Sequence, residues 1–176
     1  MATPRTISLD EVPASRWVNG GGFTAELARE PRSGPFRWRL SIATISGAAT
    51  FSHIPGVARA LMAITDGPLT LIVDGAHVRL AKYDTVQFTG DQEVASSDPG
   101  TAQRDLNLMV RGGTPVLEAV SVSGRIVTPP GLLAAVALEG ELRSLARPLS
   151  AGDAVLTAGV PTAIRGEGLI AFARVL

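Results

Sequence analysis

The sequence predicts an all-β fold with little helix, built as two stacked β-barrels. Short apolar runs of about four to eight residues recur along the chain, and many of them alternate between polar and apolar side chains. Stretches rich in glycine, proline and aspartate separate these runs, as turns do in sandwiches and barrels. A unit of strands and turns also occurs twice, which is expected of two similar barrels.

Three segments of the first half show the alternation most clearly. Residues 23–27, 38–42 and 105–111 each place apolar side chains on one face and polar side chains on the other. The first of these follows the stretch "WVNGGG", whose Asn-Gly sequence favours a turn. By propensity alone "AELARE" favours a helix, but the alternation before it indicates a strand.

An internal repeat relates the sequences of the two halves of the chain. Residues 61–71 parallel 133–143, and residues 80–90 parallel 149–159, each copy ending in Leu-x-x-x-Asp-x-Val. The best helix candidate, "LEGELRSLAR" at 138–147, lies in the second copy and is equally compatible with a hairpin. Each copy resembles half of a cupin barrel: strand, glycine, strand, and then a turn into another strand.

Composition limits the classes of function. The chain has 176 residues, 45% of them hydrophobic and 18% charged, which is typical of a soluble globular protein. No apolar run approaches the roughly 20 residues that cross a bilayer, and the first residues lack the apolar core of a secretory signal. Sixteen basic and sixteen acidic side chains give no bulk preference for nucleic acid or anionic lipid. We therefore expect a cytoplasmic protein that binds neither nucleic acid nor membrane.

The sequence also argues against metal and thiol chemistry. It contains no cysteine, which excludes disulfides, cysteine-ligated zinc and thiol nucleophiles. Its two histidines, His53 and His77, are separated widely and form no His-x-His pair. We expect no metal site and no cofactor. His77 is predicted to be an exposed strand residue, and His53 a loop residue or, in an enzyme, a general base.

The polar faces of the three strands suggest a binding site. They carry Thr24 and Glu26, then Arg39 and Ser41, then Asp105, Asn107, Met109 and Arg111. These faces are either solvated or, inside a barrel, the wall of a pocket. Arginine beside serine and asparagine suits a carboxylate, because the guanidinium fork matches the two carboxylate oxygens. Glu26 would then bind an amide or amine, or neutralise Arg39.

At this point the motifs resemble those of one family. "WVNGGGFTAELA", "FRWRLSIATI", "FSHIPGVARALM", "FTGD" and "DLNLMVRG" follow the order of the HutD/Ves family, bicupins associated with bacterial histidine utilisation genes. The resemblance implies a metal-independent RmlC-like jelly-roll bicupin in the cytoplasm. It implies an N-terminal cupin barrel at 1–115 and a C-terminal cupin half-repeat at 116–176, packed as one compact unit. Cupins often pair through their sheets, so a homodimer is also expected.

The resemblance also implies site residues and a ligand. The family's motif residues fall on Trp17, Asn19, Gly20, Gly21, Gly22, Thr24, Glu26, Arg39, Ser41, Phe51, Ser52, Pro55, Gly56, Arg59, Asp105, Asn107, Met109 and Arg111. The family is linked to regulation of histidine catabolism through a small pathway metabolite such as formylglutamate. The sequence departs from the family pattern at Ala58, where an acidic residue is expected before Arg59. Arg59 is then either freer to bind a ligand or less well oriented.

Three functions follow as hypotheses. The first is a regulatory or buffering protein of histidine catabolism that binds a small acidic metabolite. The second is a metal-independent isomerase or hydrolase with Glu26 or His53 as general base, and the third is a protein-interaction module that uses an outer sheet. For the first hypothesis we predict one set of ligand-binding residues: Trp17, Asn19, Gly21, Thr24, Glu26, Arg39, Ser41, Ser52, Arg59 and Asn107. Gly21 is included because a residue without a side chain lets the backbone approach a ligand or a neighbouring strand.

Overall fold

A computed structural model describes residues 3–176, and its architecture is all-β, as predicted. Its only helical element within that range is a 3-10 segment at Leu9–Glu11, and no described helix has the length and apolar character to cross a membrane. The strands are β1 (Arg5–Ile7), β2 (Ala14–Arg16), β3 (Gly22–Glu30), β4 (Trp38–Ile45), β5 (Ala49–Thr50), β6 (Ala58–Ala63), β7 (Leu69–Val73), β8 (Ala76–Leu80), β9 (Thr85–Thr89), β10 (Val94–Ser96), β11 (Gln103–Val110), β12 (Pro115–Val127), β13 (Ala134–Ser144), β14 (Arg147–Leu149), β15 (Ala154–Leu156) and β16 (Ala163–Val175).

The chain forms two compact units. The N-terminal unit is Pro13–Pro115, and the C-terminal unit combines Val116–Leu176 with the residues up to Val12. The first strand therefore belongs with the last part of the chain, because β1 pairs with β15. Sequence order alone does not reveal this pairing, since β1 is short and has no distinctive pattern.

The N-terminal unit contains two antiparallel sheets. One has six strands in the order β2-β3-β4-β11-β6-β9, and the other has four in the order β5-β10-β7-β8. A hydrophobic core joins their inner faces, with Ile45 and Leu61 from the larger sheet against Leu69 and Leu71 from the smaller one. All four side chains are fully buried. The alternation predicted for 23–27, 38–42 and 105–111 is confirmed, since these segments lie in adjacent strands β3, β4 and β11.

The C-terminal unit consists of one six-stranded sheet in the order β1-β15-β13-β16-β12, with β14 paired to β13. Its core includes Leu132, Val155, Ile164 and Ile170, all of them buried. The register between the long strands β13 and β16 shifts between Ala137 and Glu139. An irregularity of this kind bends a strand and increases its twist.

The helix interpretation of 138–147 is wrong, and the hairpin interpretation is right. Most of the segment lies in β13, which turns back into β14 through Leu145 and Ala146 at φ 48° and 62°. Leu142 and Ser144 are buried while Arg143 between them is exposed, which is the period of a strand. Pairing with β14 on one side and β16 on the other outweighs the helix propensity of the leucines and glutamates.

The internal repeat has a structural counterpart in the turn before β9 and before β15. Asp84 accepts a hydrogen bond from Ala81 N at 2.9 Å, and Asp153 accepts one from Ser150 N at 2.8 Å. In the backbone, Ala63 N donates to Asp84 O, and Ala137 N donates to Asp153 O.

The acid of Leu-x-x-x-Asp-x-Val therefore has the same role in both units. Because Ala63 corresponds to Ala137 in the structure, the alignment of residues 61–71 with 133–143 has to be shifted by two residues.

Candidate functional site

A cavity of about 480 Å³ opens on the inner face of the six-stranded sheet. This volume lies within the range of about 300 to 1,000 Å³ that is usual for small-molecule sites. The register of the strands determines which side chains form the floor of the cavity. Ser41 on β4 pairs with Asn107 on β11, and in the next row Met109 pairs with Arg39 on one side and with Arg59 on the other. All five side chains line the cavity, so the polar faces predicted from alternation meet on one side of one sheet.

Arg39 is held by an acidic neighbour. Its Nε lies 2.8 Å from Glu26 Oε2, and the side chains retain 26% and 35% exposure. Glu26 is placed there by the register of β3 with β4, in which it lies opposite Ser41. Glu26 does not line the cavity. The geometry therefore agrees with the expectation that Glu26 neutralises Arg39 and orients it.

Arg59 is the most deeply buried cation of the cavity. Its residue is 4% exposed, and its guanidinium carbon lies 5.3 Å from the ring centroid of Phe51 and 4.8 Å from that of Phe88. Burial lowers the pKa of Arg59 to about 10; the charge of Asp105 opposes this change, and that of Arg39 adds to it. Arg59 therefore stays charged at neutral pH, and the two aromatic faces fix its position.

The departure at Ala58 has a simple geometric consequence. Ala58 pairs with Val110 and Thr89, and the next residue, Arg59, pairs with Met109 and Phe88. Adjacent residues of a strand point to opposite faces of the sheet. A side chain at position 58 is therefore on the face opposite to that of Arg59, and the orientation of Arg59 comes from the aromatic rings.

A fully buried acid, Asp105, lies on the same face one row beyond Asn107. Its exposure is 0%, and neither carboxylate oxygen has a well-formed hydrogen bond within the described chain. Burial raises the pKa of Asp105 to about 7, although the charge of Arg59 and the neighbouring Asn107 amide both lower it. Asp105 does not line the cavity, but the two side chains that interact with it, Arg59 and Asn107, do.

The wall of the cavity is formed by the turn that leads into β3. Trp17 Nε1 donates a hydrogen bond to Thr24 Oγ1 at 2.7 Å, and the Trp17 ring meets Phe51 edge to face at 5.7 Å. Asn19 Nδ2 donates to Thr50 O at 3.0 Å. Trp17, Asn19, Thr24 and Phe51 all line the cavity. The turn is thereby tied to the strand segment across the mouth.

The glycines of this turn approach a neighbouring strand and do not line the cavity. A Cβ on Gly21 would lie 2.4 Å from the Cβ of Ala49, and one on Gly22 would lie 2.3 Å from Thr44 O. Asn19 Oδ1 accepts a hydrogen bond from Gly21 N at 3.1 Å. Gly21 is predicted to let the backbone approach either a ligand or a neighbouring strand. In the structure its backbone approaches a strand, β5, and Gly21 does not line the cavity.

Both histidines lie away from the cavity lining. His53 follows Ser52, which does line the cavity, but its Nε2 donates to Asp91 O at 3.2 Å. His77 is exposed on β8, as predicted. Within residues 3–176 no group of three or more histidine, aspartate or glutamate side chains is arranged to hold a metal ion.

Sequence reasoning missed the part of the mouth that β2 provides. Ser15, Arg16 and Val18 line the cavity together with Ile54. Arg16 pairs with Phe23 across β2 and β3, and its guanidinium carbon lies 5.9 Å from the Phe23 ring. Strand β2 is only three residues long and fully exposed, so it has no alternation to detect. Only its pairing with β3 brings it to the site.

Taken together, the cavity is suited to a small anion. Arg39 and Arg59 provide two guanidinium groups to its floor, and Arg39 is held by Glu26 while Arg59 lies against two aromatic rings. The guanidinium of Arg16 lies instead against Phe23, on the other face of the sheet. Ser41, Ser52, Thr24 and Asn107 add neutral polar groups. Guanidinium groups bind carboxylates through two parallel hydrogen bonds, and a partly buried site strengthens these bonds.

Comparison with known proteins identifies the family. A family model described as HutD matches residues 9–157. The chain belongs to the HutD family. It is 36% identical over 112 residues to an uncharacterised 21.2 kDa protein in the hutC 3′ region of Pseudomonas putida, covering 62% of this chain and 59% of that protein. It is 34% identical over 103 residues to Protein Ves of Cronobacter sakazakii, covering 57% of each. The chain thus matches less than two-thirds of the length of these curated relatives.

Solved structures extend the similarity over nearly the whole chain. A conserved protein of unknown function from Pseudomonas aeruginosa PAO1 is 26% identical, with a TM-score of 0.86 and 99% of each chain covered. HutD from Pseudomonas fluorescens, solved in a formate condition, is 23% identical, with a TM-score of 0.83 and coverage of 99% and 100%. A cupin barrel protein from Leptotrichia buccalis is 11% identical, with a TM-score of 0.62 and coverage of 100% and 98%. The predicted bicupin fold is therefore confirmed, and the names associate the family with histidine utilisation.

Proposed function

We propose that this HutD-family protein binds a small carboxylate metabolite of histidine catabolism in the cavity of its N-terminal unit, with formylglutamate as the first candidate. The observation that carries the proposal is the convergence of Arg39, Arg59, Ser41 and Asn107 on one cavity floor. The family association with histidine utilisation supports this choice of pathway.

Each side chain has a role in this proposal. Arg39 and Arg59 bind the carboxylate, Arg39 from a position fixed by Glu26 and Arg59 from its place between two aromatic rings. Ser41 and Asn107 complete the hydrogen bonds of the bound group. Trp17 with Thr24, and Ser52 on the opposite side, close the wall and contact the remaining part of the ligand.

The test is calorimetry and thermal shift with formylglutamate, urocanate, glutamate and formate at millimolar concentration. We expect heat and a raised melting temperature with at least one of them. Arg39→Ala should weaken binding by at least about tenfold without unfolding the protein, because it removes a charge-assisted hydrogen bond worth roughly 1.5–3 kcal/mol. If none of the four ligands produces heat or a thermal shift, the proposal fails.

Two further variants make the Arg39 experiment specific. Arg39→Ala leaves Glu26 without its partner, and an unpaired anion beside the cavity would itself repel a carboxylate. The double variant Arg39→Ala/Glu26→Gln removes that effect, so any loss that remains belongs to the missing guanidinium. Arg79→Ala is the matched control, since Arg79 is exposed on β8 and does not line the cavity.

We propose that this binding has a regulatory or buffering role. The enzyme alternative is less well supported, because neither Glu26 nor His53, the two candidate bases, lines the cavity. A regulatory role predicts that an Arg39→Ala allele changes histidine breakdown in the host as much as deletion of the gene does. An allele with wild-type behaviour, together with lost binding in vitro, would contradict that role.

A further inference from the structure

The base of the cavity contains a cluster of buried polar atoms without well-formed hydrogen bonds. They are both carboxylate oxygens of Asp105, Oδ1 of Asn107 and Nε of Arg59, although the Asn107 amide lies close enough to Asp105 to lower its pKa. The exposures of these residues are 0%, 3% and 4%. Buried polar atoms are almost always hydrogen-bonded in folded proteins, so a group of such atoms at one place requires a physical explanation. Asn107 and Arg59 line the cavity, and Asp105 lies beneath them.

The surroundings of Asp105 favour its neutral form. On β4 and β6 its direct neighbours are Ala43 and Ala63, neither of which offers a side-chain hydrogen bond. The opposing sheet contributes apolar side chains to the core below, including Leu69, Leu71 and Val94. An ionised carboxylate in such a place is costly unless a nearby cation compensates it, and Arg59 is the cation that acts on it most. Asp105 and a bound anion would therefore compete for the charge of Arg59.

We infer that Asp105 takes up a proton when the cavity binds a small carboxylate, so that affinity for the carboxylate rises as the pH falls through neutrality. The inference rests on the proposed function and deepens it, because it concerns the regulation of the same cavity. The balance is simple: the ligand enters as an anion, one proton passes from the buffer to a carboxylate oxygen of Asp105, and Arg59 stays charged throughout. Asp105 is thus a positioning residue that sets the charge of the site.

The pH range follows from the direction of each effect. In the free protein the pKa of Asp105 is about 7, and a bound anion raises it further by repelling the ionised form. Affinity is therefore highest below about pH 7, where Asp105 is protonated in both states. It falls as the pH rises from the pKa of the free protein to that of the complex, and it levels off above the pKa of the complex. Two unit charges about 7 Å apart at an effective dielectric of about 20 would give roughly a 10- to 100-fold difference in affinity.

Other charged groups on this face of the six-stranded sheet have to be separated from Asp105. They are Arg59 from β6, Arg39 from β4, Glu26 and Arg29 from β3, and Arg111 at the end of β11. The arginines remain charged between pH 6 and 9. Glu26 is the other acid among these groups, and it contacts Arg39, which lines the cavity. The experiment therefore has to separate any contribution of Glu26 from that of Asp105. Asp105→Asn distinguishes the two, because it removes only one of the carboxylates.

The experiment is calorimetry of the whole chain with N-formyl-L-glutamate, whose carboxylates stay ionised between pH 6 and 9. Titrations at pH 7.5 in buffers of different ionisation enthalpy measure the protons taken up on binding. We expect a net uptake of up to one proton by the wild type and little or none by Asp105→Asn. Asp98→Asn is the matched control: Asp98 is exposed in the same unit, and asparagine can still accept the hydrogen bond from Gly100 N.

Each outcome decides between the hypotheses. Binding with proton uptake that Asp105→Asn abolishes and Asp98→Asn keeps supports the inference. Binding without proton uptake, and with the same affinity at pH 6 and 8.5, overturns the inference and leaves the proposed function intact. Uptake that persists in Asp105→Asn also overturns it, since another group then takes the proton. If N-formyl-L-glutamate does not bind at any pH, the titration is repeated with urocanate, glutamate and formate, and if none of the four binds, the proposed function itself is overturned. The wild-type titration keeps the test valid even if the variant folds poorly.

Discussion

Asp105→Asn should make the protein more stable at alkaline pH, and the size of the effect follows from burial. In the folded protein the pKa of Asp105 is about 7, against 3.8 for the unperturbed group. The folded state therefore holds a proton that the unfolded state releases, and stability falls as the pH rises from about 4 to about 7. A pKa difference of about 3 corresponds to about 4 kcal/mol, of which roughly 2–3 kcal/mol is lost between pH 5 and 8.5.

Urea unfolding measures how the free energy of unfolding depends on pH. It is carried out on the wild type, Asp105→Asn and Asp98→Asn at pH 5, 7 and 8.5. Asparagine resembles the protonated acid but cannot ionise, so the gain in unfolding free energy of Asp105→Asn over the wild type should grow by roughly 2–3 kcal/mol from pH 5 to 8.5. Other titrating groups cancel in the comparison, and Asp98→Asn should keep the pH dependence of the wild type. A difference that is the same at all three pH values would refute the argument that Asp105 holds its proton through burial.

Two other variants test the base and the wall of the cavity. Arg59→Lys keeps the charge but loses the planar fork between Phe51 and Phe88, so calorimetry should show carboxylate affinity reduced about tenfold; unchanged affinity would mean that the charge alone is enough. Gly21→Val should lower the free energy of unfolding by about 1–3 kcal/mol, because its Cβ would lie 2.4 Å from the Cβ of Ala49. Gly47→Val is the control in the same urea titration, because no atom lies within 4 Å of the new Cβ. Equal stability of the two valine variants would contradict the packing role of Gly21.

The sequence by itself determined the class of fold and the faces of its central strands. Alternation in 38–42 and 105–111 gave the correct sides for Arg39, Ser41 and Asn107, because the period of a strand is two and depends on no distant contact. The repeated Leu-x-x-x-Asp-x-Val turn was also recognisable, since Asp84 and Asp153 make local hydrogen bonds within three residues. The ten predicted ligand-binding residues include eight that line the cavity.

The remaining parts of the site depend on contacts between segments distant in sequence. Arg16 reaches the rim only through the pairing of β2 with β3, and Gly21 meets Ala49 only because the turn before β3 lies against β5. The sequence shows only that position 58 is adjacent to Arg59, whereas neighbouring residues of a strand point to opposite faces of the sheet.

The charge state of Asp105 is decided by the tertiary structure alone. In the sequence Asp105 is one of several alternating polar residues, and nothing local separates it from Asn107. In the folded unit the apolar core removes water from its carboxylate, while Arg59 offers a charge for which a bound anion would compete. Desolvation depends on every element packed around a group, so no pattern within one strand can report it.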